Sequence, residues 1–376
     1  MKGRLVKILS PLSRKFADFS LNLPFEICKY MDNLLDQKKI RQFEEIVDRS
    51  ARVVLTCHVR PDGDAIGSTL GLAYLLRKFE KSVTVVVPDQ PPRSLAFLPG
   101  FKDIAIYTRH DPYVTRAISE ADLLIGCDFN KLSRLDQLAD LFAEATCRKV
   151  LIDHHTAPDD FCDLTISYPD MSSTCELVFR IIAAMGLYPD LSTEAATCLL
   201  TGLITDTRNF TVNCKHPDIY EVLARLMEKG ADKMKIVKEA LLTQSFWSVK
   251  LQAYAISENL ELFDDGRVAI TTLNKEELER FHYERGDSEG LVNTALNIRG
   301  VQASFFLRQD DDCVKVSARS EAPFNVADVC ERLCGGGGHL QAAGAEYHGS
   351  LADCRRDLLV VLGLRENDTY TPNVKK

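Results

Sequence analysis

From about residue 40 to 230 the apolar positions follow two alternating patterns. Short continuous runs of aliphatic and β-branched residues at 53–57, 82–87, 122–128 and 148–153 predict buried strands. Between and after them, stretches at 65–79, 173–185, 193–204 and 216–228 repeat their apolar residues every three or four positions and predict helices. Strands alternating with helices predict an α/β fold, a mostly parallel sheet with helices on both faces. A charged helical stretch at 231–259 follows as a connector, and then a smaller C-terminal αβ domain at 260–365. Its strand candidates are 267–273, 301–307 and 313–318; a run of four glycines and a closing helix at 351–362 complete it. The organisation expected is an N-terminal extension at 1–39, a larger domain at 40–230, the connector, and the smaller domain across a cleft.

Polar residues fall where such a sheet binds ligands. His58, Asp128 and the triplet Asp153, His154, His155 each follow or close a separate predicted strand. In open α/β sheets the crevice beyond the carboxyl ends of the strands is the binding site, so residues tens of positions apart converge there. Asp62 and Asp64 follow His58 closely, and Asp206 ends an apolar helix. Asp62, Gly63 and Asp64 by themselves also read as a turn with a helix cap. Four carboxylates in one crevice repel one another and raise one another's pKa values, which cations relieve. Six ligands are too many for one ion and suit two, with one carboxylate bridging. Oxygen and imidazole ligands without thiolate favour Mn²⁺ over structural zinc, with magnesium, cobalt and catalytic zinc left open.

Composition narrows the class. A chain of 376 residues with 45% hydrophobic and 27% charged residues is an ordinary globular protein of two domains. Its net charge of −8 disfavours a protein that wraps long nucleic acid, so a nucleic-acid substrate should be short. The twelve cysteines are scattered and form no zinc-type pairs, which predicts reduced core thiols and a cytoplasmic protein. No apolar run is long enough to span a membrane. The first 35 residues lack a signal-peptide core and read as a packing or oligomer element, which leaves a homodimer open.

The stretch from His58 through Pro61, Asp62, Gly63 and Asp64 to Ser68, the Gly126-Cys127-Asp128 and Asp153-His154-His155 triplets, and the segment Thr201 to Asp206 together resemble the four motifs of the DHH phosphoesterase family. Val316-Ser317-Ala318-Arg319 and the segment Gly335 to Gly344 resemble the signature of its DHH-associated C-terminal domain. Within that family the chain most resembles the nanoRNase type, whose members degrade very short oligoribonucleotides and can remove the 3′-phosphate of 3′-phosphoadenosine 5′-phosphate. The resemblance implies that His58 and Asp62 hold one metal, Asp64, His154 and Asp206 the other, and that Asp128 bridges them. It implies that Asp153 orients its neighbours, that His155 touches the scissile phosphate, and that Ser172 to Thr174 help position that region. Arg319, Gly336, Gly337, Gly338 and His339 would bind substrate, the glycines by letting backbone N–H groups approach a phosphate. The ions would activate water for in-line attack without a phospho-enzyme. Short oligoribonucleotides and nucleotides are the expected partners, with cyclic or linear dinucleotides as the alternative. Where the family pattern has glycine after Thr207, this chain has Arg208.

Overall fold

The computed structural model describes residues 34–371, so the first 33 residues of the expected N-terminal extension lie outside it. The chain divides into two compact units between Thr243 and Gln244, inside the stretch read as connector.

In the first unit, strands β1 (Arg52–Cys57), β2 (Ser82–Val87), β3 (Ala105–Ile106), β4 (Leu123–Cys127), β5 (Arg148–Asp153) and β6 (Leu164–Ser167) form one sheet in the order β3-β2-β1-β4-β5-β6, parallel throughout. The chain builds outward from β1 to β3, then returns to β4 on the other side of β1. The direction therefore reverses between β1 and β4, where doubly wound sheets open a crevice. Helices α1 (Gln37–Asp48), α2 (Gly63–Lys78), α3 (Tyr107–Ser119), α4 (Ala139–Glu144), α5 (Thr174–Ala184), α6 (Thr193–Asp206), α7 (Ile219–Glu228) and α8 (Lys233–Val237) surround it. Alternate strand residues serve opposite layers. Val53, Leu55, Ile125 and Ile152 pack with α1, α2, α5 and α6, while Val54, Leu124 and Leu151 pack with α3 and α4. Burial on both faces is why these strands read as continuous apolar runs.

Helices α2 and α6 approach almost backbone to backbone. A methyl group added at Gly67 would lie 2.5 Å from the Cys198 carbonyl oxygen, and one at Gly202 would lie 2.2 Å from Cys175 Sγ and 2.8 Å from Asp64 Oδ1. Gly63, Gly67 and Gly71 recur every fourth residue and so form one stripe along α2. This close fit brings the start of α2 to the end of α6.

In the second unit, β7 (Leu260–Phe263), β8 (Val268–Leu273), β9 (Ala303–Gln309), β10 (Val314–Ser320), β11 (Gly337–His339), β12 (Ala342–Tyr347) and β13 (Thr369–Tyr370) form a mixed sheet in the order β11-β12-β10-β9-β8-β7-β13. Only β8 and β9 pair in parallel. Helices α9 (Phe246–Glu258), α10 (Lys275–Arg280) and α11 (Leu291–Thr294) contribute to the core on one side; α12 (Val326–Cys334) and α13 (Leu351–Leu362) contribute to the other. The 231–259 stretch is not one helix. It breaks at Thr243 and restarts at α9, where Ser245 Oγ accepts from the Ser248 N–H at 2.9 Å and caps the new helix.

The glycine run is ordered. Gly335 ends α12 in the left-handed conformation, φ 72°. The next residues pair as β11 with β12 rather than forming a loop.

Candidate metal centre

His58, Asp128 and His154 each stand one residue beyond the carboxyl end of a strand, on β1, β4 and β5. Asp62 caps the N-terminus of α2, its Oδ1 accepting from the Asp64 and Ala65 N–H groups at 3.0 and 3.1 Å. The same carboxylate faces His58 Nε2 at 3.9 Å. The turn-and-cap reading and the ligand reading of Asp62 are therefore compatible. The β1–α2 loop is pinned at two points: the Arg60 N–H donates to Asp89 Oδ1 at 2.6 Å, and the Val59 N–H to the Arg134 carbonyl at 2.7 Å. Arg60 has a positive φ of 57° there.

The six expected ligands come together in two groups, one of His58, Asp62 and Asp128, the other of Asp64, His154 and Asp206. Asp128 also joins His154 and His155 in a third group. His58 Nε2 lies 3.4 Å from Asp128 Oδ2, and His154 Nε2 lies 3.6 Å from Asp128 Oδ1, 3.6 Å from Asp206 Oδ2 and 3.8 Å from Asp64 Oδ2. Asp128 thus turns one oxygen to each group, from a backbone with φ 66°. Main-chain carbonyls fix both imidazoles through their other nitrogen: Val59 O is 2.8 Å from His58 Nδ1, and Met171 O is 3.2 Å from His154 Nδ1. This arrangement turns each Nε2 toward the carboxylates.

A short segment before and into α5 holds the acids. The Thr174 and Cys175 N–H groups donate to the two oxygens of Asp64 at 2.6 and 2.8 Å, and Thr174 Oγ1 donates to Asp128 Oδ1 at 3.0 Å. Asp153 is fully buried and its Oδ1 lies 2.7 Å from His155 Nδ1, so it orients that ring.

The charges are unbalanced without an added cation. Burial and the neighbouring Asp128 charge push Asp64 up to about 7. Burial and the charge of Asp64 push Asp206 well above the usual carboxylate range. Burial pulls both histidines down, but Asp128 and Asp62 outweigh it at His58, and Asp206, Asp128 and Asp64 outweigh it at His154, so both rise to about 9. Asp128 moves the other way: burial opposes ionisation, yet the hydrogen bond and charge of His58 and the charges of His155 and His154 hold its carboxyl well below the usual range. Asp206 Oδ2 is buried without a hydrogen-bond partner. A cation would satisfy that oxygen, so the residues present fit divalent metal ions.

Sequence reasoning missed three features. Asp89 carries no signal beyond lying after β2. The main-chain donors of Thr174 and Cys175 are invisible in any residue pattern. The stripe Gly63, Gly67, Gly71 could have been found from its four-residue spacing. After Asp206, Thr207 Oγ1 donates to the Leu203 carbonyl at 2.6 Å and accepts from the Phe210 N–H at 3.0 Å. Arg208, Asn209 and Phe210 then take φ values of 46°, 54° and 66°, a left-handed turn built without glycine.

Residues 52–203 match the DHH family, N-terminal domain, and residues 265–361 match the DHHA1 domain. A crystal structure of an exopolyphosphatase-related protein from Bacteroides fragilis superposes with a TM-score of 0.85 at 41% identity, covering 88% of this chain and 97% of that one. The chain belongs to the DHH family. Its DHH relatives are metal-dependent hydrolases of phosphate esters. It is 29% identical over 313 residues to the bifunctional oligoribonuclease and PAP phosphatase NrnA of Thermus thermophilus, covering 83% of this chain and 89% of that enzyme. It is 28% identical over 330 residues to the cyclic-di-AMP phosphodiesterase PdeA of Listeria monocytogenes, covering 84% of this chain but only 48% of that enzyme. The chain thus spans about half of PdeA. The described residues include no helix long and apolar enough to cross a membrane, and their eleven cysteines are free thiols.

The DHHA1 region places the other expected residues on β10, β11 and the turn before β11. Arg319 pairs across the sheet with Ala342, and Ala342 with His339, so Arg319 and His339 share one cross-strand row and one face. Gly337 and Gly338 pair with Gly344 and Ala343. At Gly336 a methyl group would meet Ala345 Cβ at 2.5 Å.

Proposed function

We propose that this protein hydrolyses short oligoribonucleotides to mononucleotides and removes the 3′-phosphate of 3′-phosphoadenosine 5′-phosphate. The observation that carries the reading is Asp128, one carboxylate turned toward two groups of acids and imidazoles at the carboxyl end of a parallel sheet. Similarity to NrnA along most of both chains supports the substrate class.

His58, Asp62 and Asp128 would hold one divalent cation, and Asp64, His154, Asp206 and Asp128 a second, Mn²⁺ being favoured by the donor set. When bound, the two ions would lower the pKa of water and draw charge from the phosphoryl oxygens. Asp128, held by Thr174 Oγ1, would keep the two groups in register. His155, held by Asp153, would face the phosphate with its other ring nitrogen and either hydrogen-bond a non-bridging oxygen or supply the proton to the leaving alkoxide as the ester P–O bond breaks. Water supplies the oxygen that forms the new P–O bond, so no covalent enzyme intermediate is required. In the DHHA1 region, Arg319 and His339 would offer donors to a substrate phosphate from one face, and the backbone of Gly336, Gly337 and Gly338 would add N–H groups.

The test is product analysis with Mn²⁺, offering an RNA ladder of about two to twenty nucleotides, 3′-phosphoadenosine 5′-phosphate and cyclic di-AMP in parallel. Loss of the shortest RNAs first, with phosphate release from the nucleotide, supports the proposal. Turnover of the cyclic dinucleotide alone would favour the phosphodiesterase reading that the PdeA similarity raises.

A further inference from the structure

Arg180 is one of the largest fully buried side chains in the protein, and nothing in the proposed chemistry uses it. Its Nε and Nη2 donate to Glu176 Oε1 at 2.8 and 2.5 Å, one turn back on α5. Its Nη1 donates to Asp218 Oδ2 at 2.7 Å, just before α7. The other oxygen of Glu176 accepts from both the N–H and the Oγ of Ser172, at 2.8 and 2.5 Å. Every group in this chain is charged or polar, and both Glu176 and Arg180 are withdrawn from water.

Such a pair is a poor investment for stability alone, because desolvation consumes most of the Coulombic gain and apolar replacements often do as well. Its position suggests another use. The segment Met171 to Cys175, which Glu176 grips at Ser172, touches three of the expected metal ligands. Met171 O fixes His154, the Thr174 and Cys175 N–H groups hold Asp64, and Thr174 Oγ1 holds Asp128. The far end, Asp218, closes the segment that leaves the fourth ligand, Asp206, at the end of α6. One buried guanidinium therefore links the backbone behind His154, Asp64 and Asp128 to the chain leaving Asp206.

We infer that Glu176 and Arg180 are positioning residues for the metal centre, setting the spacing of its ligands from behind without touching metal or substrate. The inference rests on the reading of the site as a divalent-cation centre. Partners behind the ligands commonly govern metal affinity by about 10- to 100-fold.

The test measures Mn²⁺ binding by calorimetry and by Mn²⁺ electron paramagnetic resonance, together with thermal melting of the metal-free protein. The double variant Glu176→Leu/Arg180→Met replaces the buried pair with apolar groups of similar size, and Asp218→Asn weakens only the distal anchor. The expected result is a folded double variant whose Mn²⁺ dissociation constant rises about 10- to 100-fold, with a smaller rise, about threefold, for Asp218→Asn. A folded double variant that binds Mn²⁺ as the parent protein does would overturn the inference. If the double variant does not fold, Asp218→Asn decides: parental affinity overturns the inference, and weakened affinity with an unchanged melting temperature supports it. A parent protein that binds no divalent cation would instead defeat the metal-centre reading itself, and this inference with it.

Discussion

Loading the metal-free protein with Mn²⁺ at pH 7 should release protons, and the structure sets how many. With no cation bound, His58 and His154 rise to about 9, so each imidazole carries nearly a whole proton at pH 7. Asp64, at about 7, carries about half of one. A metal ligand must be a neutral imidazole or an ionised carboxylate, so binding must expel about two and a half protons from these three groups, and more from Asp206, which also rises. Two consequences follow from linkage. Affinity should climb steeply from pH 6 to 9 and level off above, since protons compete below that point. Stability should move oppositely in the empty protein. The native state holds protons on His58 and His154 between about 6.5 and 9, and on Asp64 between about 4 and 7, that the unfolded chain has released. Metal-free melting temperature should therefore fall as pH rises from 4 to 9, and saturating Mn²⁺ should abolish or reverse that slope. Calorimetry in buffers of different ionisation enthalpy counts the protons directly. Release of fewer than about one proton, with affinity flat from pH 6 to 9, would show that these imidazoles are not cationic in the empty site and would refute the charge argument.

Asp128→Asn should leave the sheet intact but lower kcat/KM at least about 100-fold, because one of the two oxygens becomes an amide nitrogen that cannot ligate a cation and the shared negative charge is lost; circular dichroism and steady-state turnover would show whether folding and activity separate. Gly202→Ala forces a methyl group against Cys175 Sγ and Asp64 Oδ1. It should cost about 1 to 3 kcal/mol in urea unfolding and weaken Mn²⁺ binding, and a neutral outcome would contradict the close fit of α2 on α6. Arg208→Gly relieves a φ of 46°. Stability should hold or rise by up to about 1 kcal/mol, while the loss of a cation two residues from Asp206 should raise KM for a phosphate-bearing substrate with kcat nearly unchanged; a lower melting temperature would count against the strain.

The central strands were legible because burial on both faces leaves an uninterrupted apolar run, and the candidate ligands because carboxylates and imidazoles at strand ends have few structural reasons to be there. Predicted strands at 82–87 and 148–153 and the closing helix at 351–362 coincide with β2, β5 and α13. The flanking strands were missed for a physical reason: β3 is two residues long and β6 four, too short to show a period. The glycine run shows the opposite limit. By composition it resembles a flexible linker, yet Gly337 to His339 form a strand because small residues on β12 allow close pairing. Glu176 and Arg180 were overlooked for a subtler reason. An acid and an arginine four apart on a helix are usually a solvent-exposed pair, and sequence does not distinguish that from a pair enclosed by two segments arriving from elsewhere.

Asp64 and Asp128 show why hydrogen bonding alone does not complete this centre. Asp64 accepts two main-chain N–H groups at the start of α5, the favourable end of the helix dipole. By that arrangement it should ionise readily. It does not, because it is wholly buried near other acids, and these terms carry it up to about 7. Asp128 also takes two hydrogen bonds, from Thr174 Oγ1 and from His58, yet it ionises more readily than an ordinary aspartate because the charges of His58, His155 and His154 add to the His58 bond. Proximity to positive charge, rather than the number of donors, separates the two acids. A divalent cation among Asp64, His154 and Asp206 would supply that charge where the protein does not, drawing Asp64 and Asp206 to their ionised forms and releasing the proton of His154. The protein's own contribution is then geometric: it fixes acids in place at a cost in electrostatic energy that ion binding offsets.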